Sequence, residues 1–270
     1  MPLLQLFVLA AVQGITEFLP ISSSGHLILV PKLTAWPDQG LVIDVAVHVG
    51  TLLAVVLYFM KDILAMIGAF FRRFHEITVR QEFESEYLLV LNLIIATIPI
   101  IIAGYLANRY LGDAFRSLEV IGWTTLGFAF LLFLADKLNM TIRGIDHITF
   151  RGAFIIGSFQ ILALIPGTSR SGVTMTMART LGFARVEAAR FSFLLGLPAI
   201  LGSGLFELWE LSHSGFGNHG TLPLLLGIGS AFVCGWVAIE FLLRFLRTHG
   251  TLVFVLYRLL LGSVILATLP

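Results

Sequence analysis

Apolar residues run through this chain in stretches about as long as the roughly 20 residues that a helix needs to cross a bilayer. Six stretches stand out, near residues 41–60, 87–106, 118–135, 191–209, 222–243 and 251–269, with charged segments between them. Two more, 3–19 and 150–165, carry several polar residues each. They run into the breaks Pro20-Ile21-Ser22-Ser23-Ser24-Gly25 and Pro166-Gly167-Thr168-Ser169-Arg170-Ser171-Gly172. An apolar run that stops at such a break reads as a re-entrant segment, because proline ends a helix and irregular backbone at membrane depth must be lined by protein. The pattern predicts an all-α polytopic membrane protein with about six transmembrane helices plus two re-entrant helix-loop-helix segments.

Composition narrows the class further. Hydrophobic residues make up 57% of the chain and charged ones 12%, and mean hydropathy is +0.95, which excludes an ordinary soluble domain. A net charge of +1 leaves no basic surplus for a nucleic-acid partner. The single cysteine, Cys234, lies in an apolar run, so no intramolecular disulfide is expected. The first residues lack a basic n-region and lead into Glu17 instead of a small-residue cleavage site, so the start is expected to belong to the mature protein.

Lys and Arg set the orientation. Lys61, Arg72, Arg73 and Arg80 follow the first span, Lys137, Arg143 and Arg151 the third; Arg179, Arg185 and Arg190 precede the fourth, and Arg244 and Arg247 the last. These stretches are expected to be cytoplasmic. The other side receives Lys32, Arg109 and Arg116, and residues 212–221 contain no Lys or Arg. Both termini are then outside.

With both breaks turning back, each is followed by about three spans, and the halves 1–135 and 136–270 of this single membrane domain run in opposite orientations. A weak repeat agrees: a shift of 147 positions superposes Gln13 on Gln160, Ser22 on Ser169, Ser24 on Ser171 and Gly25 on Gly172. Inverted repeats of this kind bring broken helices together near the midplane, where helix N-termini hold anions.

The first break carries Glu17, Ser22, Ser23, Ser24 and His26. Gln13 and Glu17, four residues apart, share a helical face that ends where Pro20 stops the helix. An ionisable group at membrane depth normally has a partner or a function, and hydroxyls beside a histidine are the makings of an activated nucleophile. The plainer alternative is an interfacial Glu17 and serines that cap a helix. The second break offers Gly167 and Gly172 for close backbone approach, hydroxyls on Thr168, Ser169, Ser171 and Thr174, and Arg170, whose planar fork matches a phosphate. It reads as a phosphate cradle, the alternative being that Arg170 belongs to the cytoplasmic basic loop.

Other residues carry weaker signals. Asp44 and His48 share a face of the first span, and a histidine bonded to a carbonyl between helices explains them equally well. Arg258, inside the last span, fits snorkelling as well as substrate binding. Glu240 and Arg244 read as an interfacial pair, and 81–86 as a solvated acidic cluster.

Together the two clusters resemble those of the undecaprenyl-diphosphate phosphatase family, bacterial enzymes also associated with bacitracin resistance. The family's first motif, a Glu or Gln, three residues, then Glu, running into Phe-Leu-Pro-(Val/Ile)-Ser-Ser-(Thr/Ser)-Gly-His, is matched from Gln13 to His26. Its second, Pro-Gly-x-Ser-Arg-Ser-x-x-Thr, is matched from Pro166 to Thr174. The likeness extends over essentially the whole chain. It implies that Glu17 is the essential acid, His26 the essential histidine, Arg170 the phosphate-binding arginine and Ser23 the proposed nucleophile. It also implies a divalent cation, Mg²⁺ or Ca²⁺, with Glu17 the safer ligand because Gln13 stands where other members have a second Glu. The implied reaction converts a C55 polyprenyl diphosphate to the monophosphate carrier of peptidoglycan synthesis, with His26 a general base on Ser23, or itself or its activated water the attacking group. Acid-phosphatase-like lipid phosphatases are excluded, since they need a histidine where Thr176 stands. The competing class is a carrier that translocates a lipid phosphate through the same inverted-repeat site. The partners implied are the lipid substrate and membrane lipids, with a second copy of the chain, as a homo-oligomer, a further candidate.

Overall fold

The computed structural model of the chain describes residues 2–34, 36, 39–75, 81–110, 117–138, 143–214 and 221–269. Arg80, Arg116 and residues 215–220, which entered the orientation argument, lie outside them. The described residues form helices α1 (Leu3–Phe18), α2 (Ser23–Thr34), α3 (Leu41–Tyr58), α4 (Met60–His75), α5 (Gln81–Tyr110) and α6 (Leu118–Leu138). These are followed by α7 (Phe150–Gln160), α8 (Arg170–Thr180), α9 (Arg185–Ser214), α10 (Thr221–Thr248) and α11 (Leu252–Ala267), with short 3₁₀ turns at Ile145–His147 and Ile161–Leu164.

Five helices, α3, α5, α6, α9 and α10, contain a window long and apolar enough to cross a membrane. The sixth expected span, α11, is a shorter apolar helix of 16 residues, about 24 Å at 1.5 Å per residue. The basic stretch after the first span is itself a helix, α4. It buries Met66 and Ala69 and exposes Lys61, Arg72 and Arg73, the layout of an amphipathic segment. Ile101, Trp123, Leu225 and Leu260 are all more than half exposed, as lipid-facing side chains are.

The halves do not pack separately. Helix α10 lies along α1 and α3, α11 along α6, and α5 along α7. One apolar cluster therefore joins Phe18 and Val55 to Phe193, Ile239 and Phe254. Close approach depends on small residues: a Cβ on Gly50 would strike the carbonyl of Ile228, and one on Gly157 the backbone of Ala96. Such contacts let membrane helices pack by dispersion where no hydrophobic force drives them together.

Helix α1 stops one residue before Leu19-Pro20, and α2 starts at Ser23. The two pack against each other, as do α7 and α8, so in each case the chain folds back across its break. Among the described residues, two that are not glycine have positive φ: Ser22 at 76° and Ser169 at 70°. They are the pair that the 147-residue shift superposes. Their hydroxyls do the same work, each accepting from the amide three residues on, Gly25 at 3.4 Å and Gly172 at 3.2 Å. Each also faces the hydroxyl two residues later, Ser22 that of Ser24 at 3.3 Å and Ser169 that of Ser171 at 3.2 Å.

Candidate active site

The two breaks meet. The amide of Gly167 donates to Ser24 Oγ at 3.4 Å, and Ser171 Oγ donates to the carbonyl of Leu19 at 3.1 Å. Each break thus uses a serine of its following helix to hold the backbone of the other. Arg258 of α11 completes the clamp: its guanidinium donates to the carbonyls of Pro20 (3.3 Å), Thr168 (2.9 Å), Gly167 (2.9 Å) and Thr125 (3.2 Å). It is fully buried, so it does not snorkel; it ties both breaks to α6 and α11. Thr124 and Thr125 hold the second break from α6, bonding the carbonyls of Pro166 at 2.7 Å and Gly167 at 3.3 Å.

At the junction, Glu17 is the hub. Its Oε1 pairs with Arg170 at 3.2 Å, and its Oε2 accepts from Ser23 Oγ at 2.9 Å and from Gln13 Nε2 at 3.1 Å. The acid comes from the last turn of α1, the hydroxyl from the first residue of α2 and the guanidinium from the first residue of α8. Side chains of Arg170 and Glu17 keep 14% and 10% of their surface, enough for access and little enough for a strong ion pair. Arg170 also donates to the carbonyl of Ser192 at 3.4 Å and lies against Gly196, where a Cβ would collide with the guanidinium. By position, the amides of Ser23, Ser24, Arg170 and Ser171 open two helices and have no intrahelical acceptor. Anionic oxygen is favoured at such ends.

The other expected site residues divide into two groups. Ser23 is half-buried and Ser24 exposed. Gly167, Thr168, Ser169, Ser171, Gly172 and Thr174 are buried, and their hydroxyls are engaged within the protein. Thr168 donates to Ile165 O at 2.8 Å, Thr174 donates to Arg170 O at 2.8 Å and bonds Ser192 Oγ at 2.6 Å, and Ser169 and Ser171 hold the breaks as above. The second motif therefore builds the loop that presents Arg170, and its hydroxyls bond within the protein. Ser22 is buried too and caps α2.

His26 departs from the expected pairing. The sequence suggested an imidazole acting on Ser23, but Nδ1 lies 2.6 Å from the carbonyl of Ser22 and Nε2 lies 2.6 Å from the hydroxyl of Tyr257. Ser23 gives its hydrogen bond to Glu17 instead. The reason is helical geometry: the ring turns back to the carbonyl four residues earlier, while Ser23, at the helix start, faces the end of α1.

Among the described residues no three His, Cys, Asp or Glu side chains gather as a metal cluster. Two oxygen ligands are nevertheless adjacent, Glu17 and Gln13 Oε1, the latter buried without a hydrogen-bond partner. Mg²⁺ ordinarily takes one or two protein oxygens, with water and substrate phosphate completing its shell, so this pair fits such an ion.

Several residues here have no sequence signal of their own. Tyr257, Ser192, Gly196 and Thr124 lie in apolar helices with ordinary spacing; only the neighbouring Arg258 stood out. Arg179, grouped with cytoplasmic basic residues, is 4% exposed and pairs with Asp136 at 3.2 Å. Asp136 in turn accepts from Arg185 at 2.6 Å and from the amide of Thr251 at 3.1 Å, joining α6, α8, α9 and α11 at one end of the bundle. His48 donates to the carbonyl of Asp44 at 2.8 Å, the structural alternative for that residue. Arg244 pairs with Glu240, which also accepts from Tyr58.

The family model described as bacitracin resistance protein BacA matches residues 6–264. The chain is 46% identical over 269 residues to an undecaprenyl-diphosphatase of Hahella chejuensis, covering 98% of each chain. It is 43% identical over 274 residues to undecaprenyl-diphosphatase 1 of Rhodospirillum rubrum, covering 99% of this chain and 95% of that one. An undecaprenyl-diphosphatase of Saccharophagus degradans is 46% identical over 266 residues, covering 97% of each. With its two motifs folded into one junction and its length matched almost throughout, the chain belongs to the bacitracin resistance protein BacA family.

Proposed function

We propose that this protein is a membrane-embedded phosphatase that hydrolyses undecaprenyl diphosphate to undecaprenyl phosphate and inorganic phosphate, returning the carrier to peptidoglycan and other cell-wall synthesis. The observation that carries the reading is the Glu17 hub, where a carboxylate polarises Ser23 and holds Arg170 at the meeting point of two helix N-termini. The setting is the bacterial inner membrane, with the two halves inverted and both termini outside; the shared geometry of Ser22 and Ser169 and the Lys/Arg distribution support it.

In this scheme Arg170 and the first-turn amides of α2 and α8 bind the terminal phosphate and neutralise the charge that builds on its oxygens. Ser23 Oγ attacks that phosphorus while its proton passes to Glu17 Oε2, the atom that already accepts its hydrogen bond. The P–O bond to the lipid monophosphate breaks, and the monophosphate leaves with both bonding electrons. Glu17 passes that proton to the departing monophosphate and, a carboxylate again, takes a proton from water, whose oxygen attacks the phosphoserine; the Ser–O–P bond breaks, Ser23 Oγ recovers the proton from Glu17 and phosphate is released. Glu17 and Gln13 Oε1 would hold the divalent cation, which supplies charge neutralisation on the diphosphate when bound. Arg170 must release part of its contact with Glu17 to meet the substrate, leaving the carboxylate free to act as base.

Pure protein in detergent, given polyprenyl diphosphate labelled in its terminal phosphate, tests this directly. Phosphate release that chelator abolishes, with acid-stable label trapped on Ser23 by rapid quench, is the expected result. Acid-labile label on His26, or reproducible absence of label, would replace serine attack by histidine or water. Binding without phosphate release would favour a carrier.

A further inference from the structure

Both ring nitrogens of His26 are occupied, and the partners fix its protonation. A carbonyl can only accept, so Nδ1, 2.6 Å from Ser22 O, carries the proton. In the neutral ring Nε2 is then an acceptor, and the hydroxyl of Tyr257, 2.6 Å away, is the donor. The two rings are nearly parallel, 7° apart with centroids 5.6 Å from each other. Tyr257 comes from α11, and the next residue, Arg258, fixes that helix to both breaks through three of its four carbonyl bonds. The residue that the ring grips at its other end is Ser22, whose φ of 76° is costly for a side chain bearing a Cβ and persists only where its surroundings hold it. Ser23 follows immediately, and the turn at Ser22 aims its Oγ at Glu17.

We infer that Tyr257 is a positioning residue of the site: through His26 it locks the strained Ser22 turn and so holds Ser23 on Glu17. This rests on the phosphatase reading above and changes the work assigned to the histidine. His26 acts as a strut from α11 to the Ser22 carbonyl, and proton transfer is left to Glu17.

The test is a double-mutant cycle on turnover of polyprenyl diphosphate by protein in detergent, with a conservative rescue. Tyr257→Phe removes one hydroxyl and should lower kcat about 10- to 100-fold, the usual loss when the partner orienting a functional histidine is removed, with KM little changed. In a His26→Ala background the same change should cost nothing further, because its route is gone. His26→Asn, whose amide can still donate to Ser22 O but cannot take up a proton, should recover at least about tenfold of the turnover lost in His26→Ala. Full kcat in Tyr257→Phe, or a Tyr257 penalty that persists without His26, overturns the inference, as does an Asn variant no better than Ala. ¹⁵N spectra of the histidine rings, with His26→Gln to assign the signals, read the contact without turnover. His26 should show a single tautomer with its proton on Nδ1, turning to a mixture in Tyr257→Phe. Wild-type protein that shows that spectrum and releases no phosphate would defeat the phosphatase reading and leave the strut standing; tautomers unchanged by Tyr257→Phe would defeat the strut itself.

Discussion

Ser22 and Ser169 lie 147 positions apart in the chain and adopt the same rare backbone, φ 76° and 70°, each capping the helix that follows with its own hydroxyl. Two costs oppose each other at such a residue. A Cβ at positive φ is strained by about 1–3 kcal/mol, while the cap contributes typically ~1 kcal/mol. Ser169→Gly loses the cap and relieves the strain; Ser169→Ala loses the cap and keeps it. Thermal unfolding in detergent should therefore rank the glycine variant at or near wild type and the alanine variant below it by about 1 kcal/mol. An alanine variant as stable as glycine would mean that the backbone at Ser169 carries no strain.

Arg170 meets Glu17 at 3.2 Å and the carbonyl of Ser192 at 3.4 Å through different nitrogens of one planar fork. Arg170→Lys keeps the charge and loses that geometry, so turnover should fall by about two orders of magnitude or more. Arg247→Lys, at an exposed position, serves as the control and should be nearly silent. Wild-type turnover in Arg170→Lys would show that a point charge suffices.

Asp136 and Arg179 form a buried pair, with side chains 7% and 5% exposed. Removing one partner of such a pair leaves an uncompensated charge, which costs roughly 3–5 kcal/mol. Asp136→Ala should lower the unfolding midpoint sharply. Arg179→Lys should also be destabilising, because Lys cannot reproduce the ion pair with Asp136 together with the bond to Phe183 O. A midpoint unchanged in both would remove this cluster from the forces that fix α8 and α9.

Orientation is open to thiol labelling. In a Cys234→Ala background, single cysteines at Ser117 and Arg73, both exposed, should react with an impermeant reagent on intact cells at Ser117 alone. Labelling at Arg73 and not at Ser117 would invert the topology.

The sequence by itself determined the class of the molecule, since 57% hydrophobic residues in runs of about twenty leave no other solvent than lipid for most of the surface. It also singled out both breaks, because Pro20, Pro166 and the Ser/Gly runs beside them cannot continue a helix, and it placed Glu17, Ser23 and Arg170 among the residues to watch. These are local properties of composition and spacing. Only the tertiary structure decided which of these residues meet. The 153 positions between Glu17 and Arg170 close to one ion pair because the end of α1 meets the start of α8, and nothing in either motif states that. Burial decided the rest. In sequence Arg258 reads as a snorkelling or substrate-binding residue and Arg179 as a loop charge, yet each lies inside the bundle, where a guanidinium must be surrounded by carbonyls or a carboxylate. His26 and Ser23, three apart and suggestive of a catalytic pair, were separated by the direction a helical side chain takes, and the partner each found, Tyr257 and Glu17, came from a different helix.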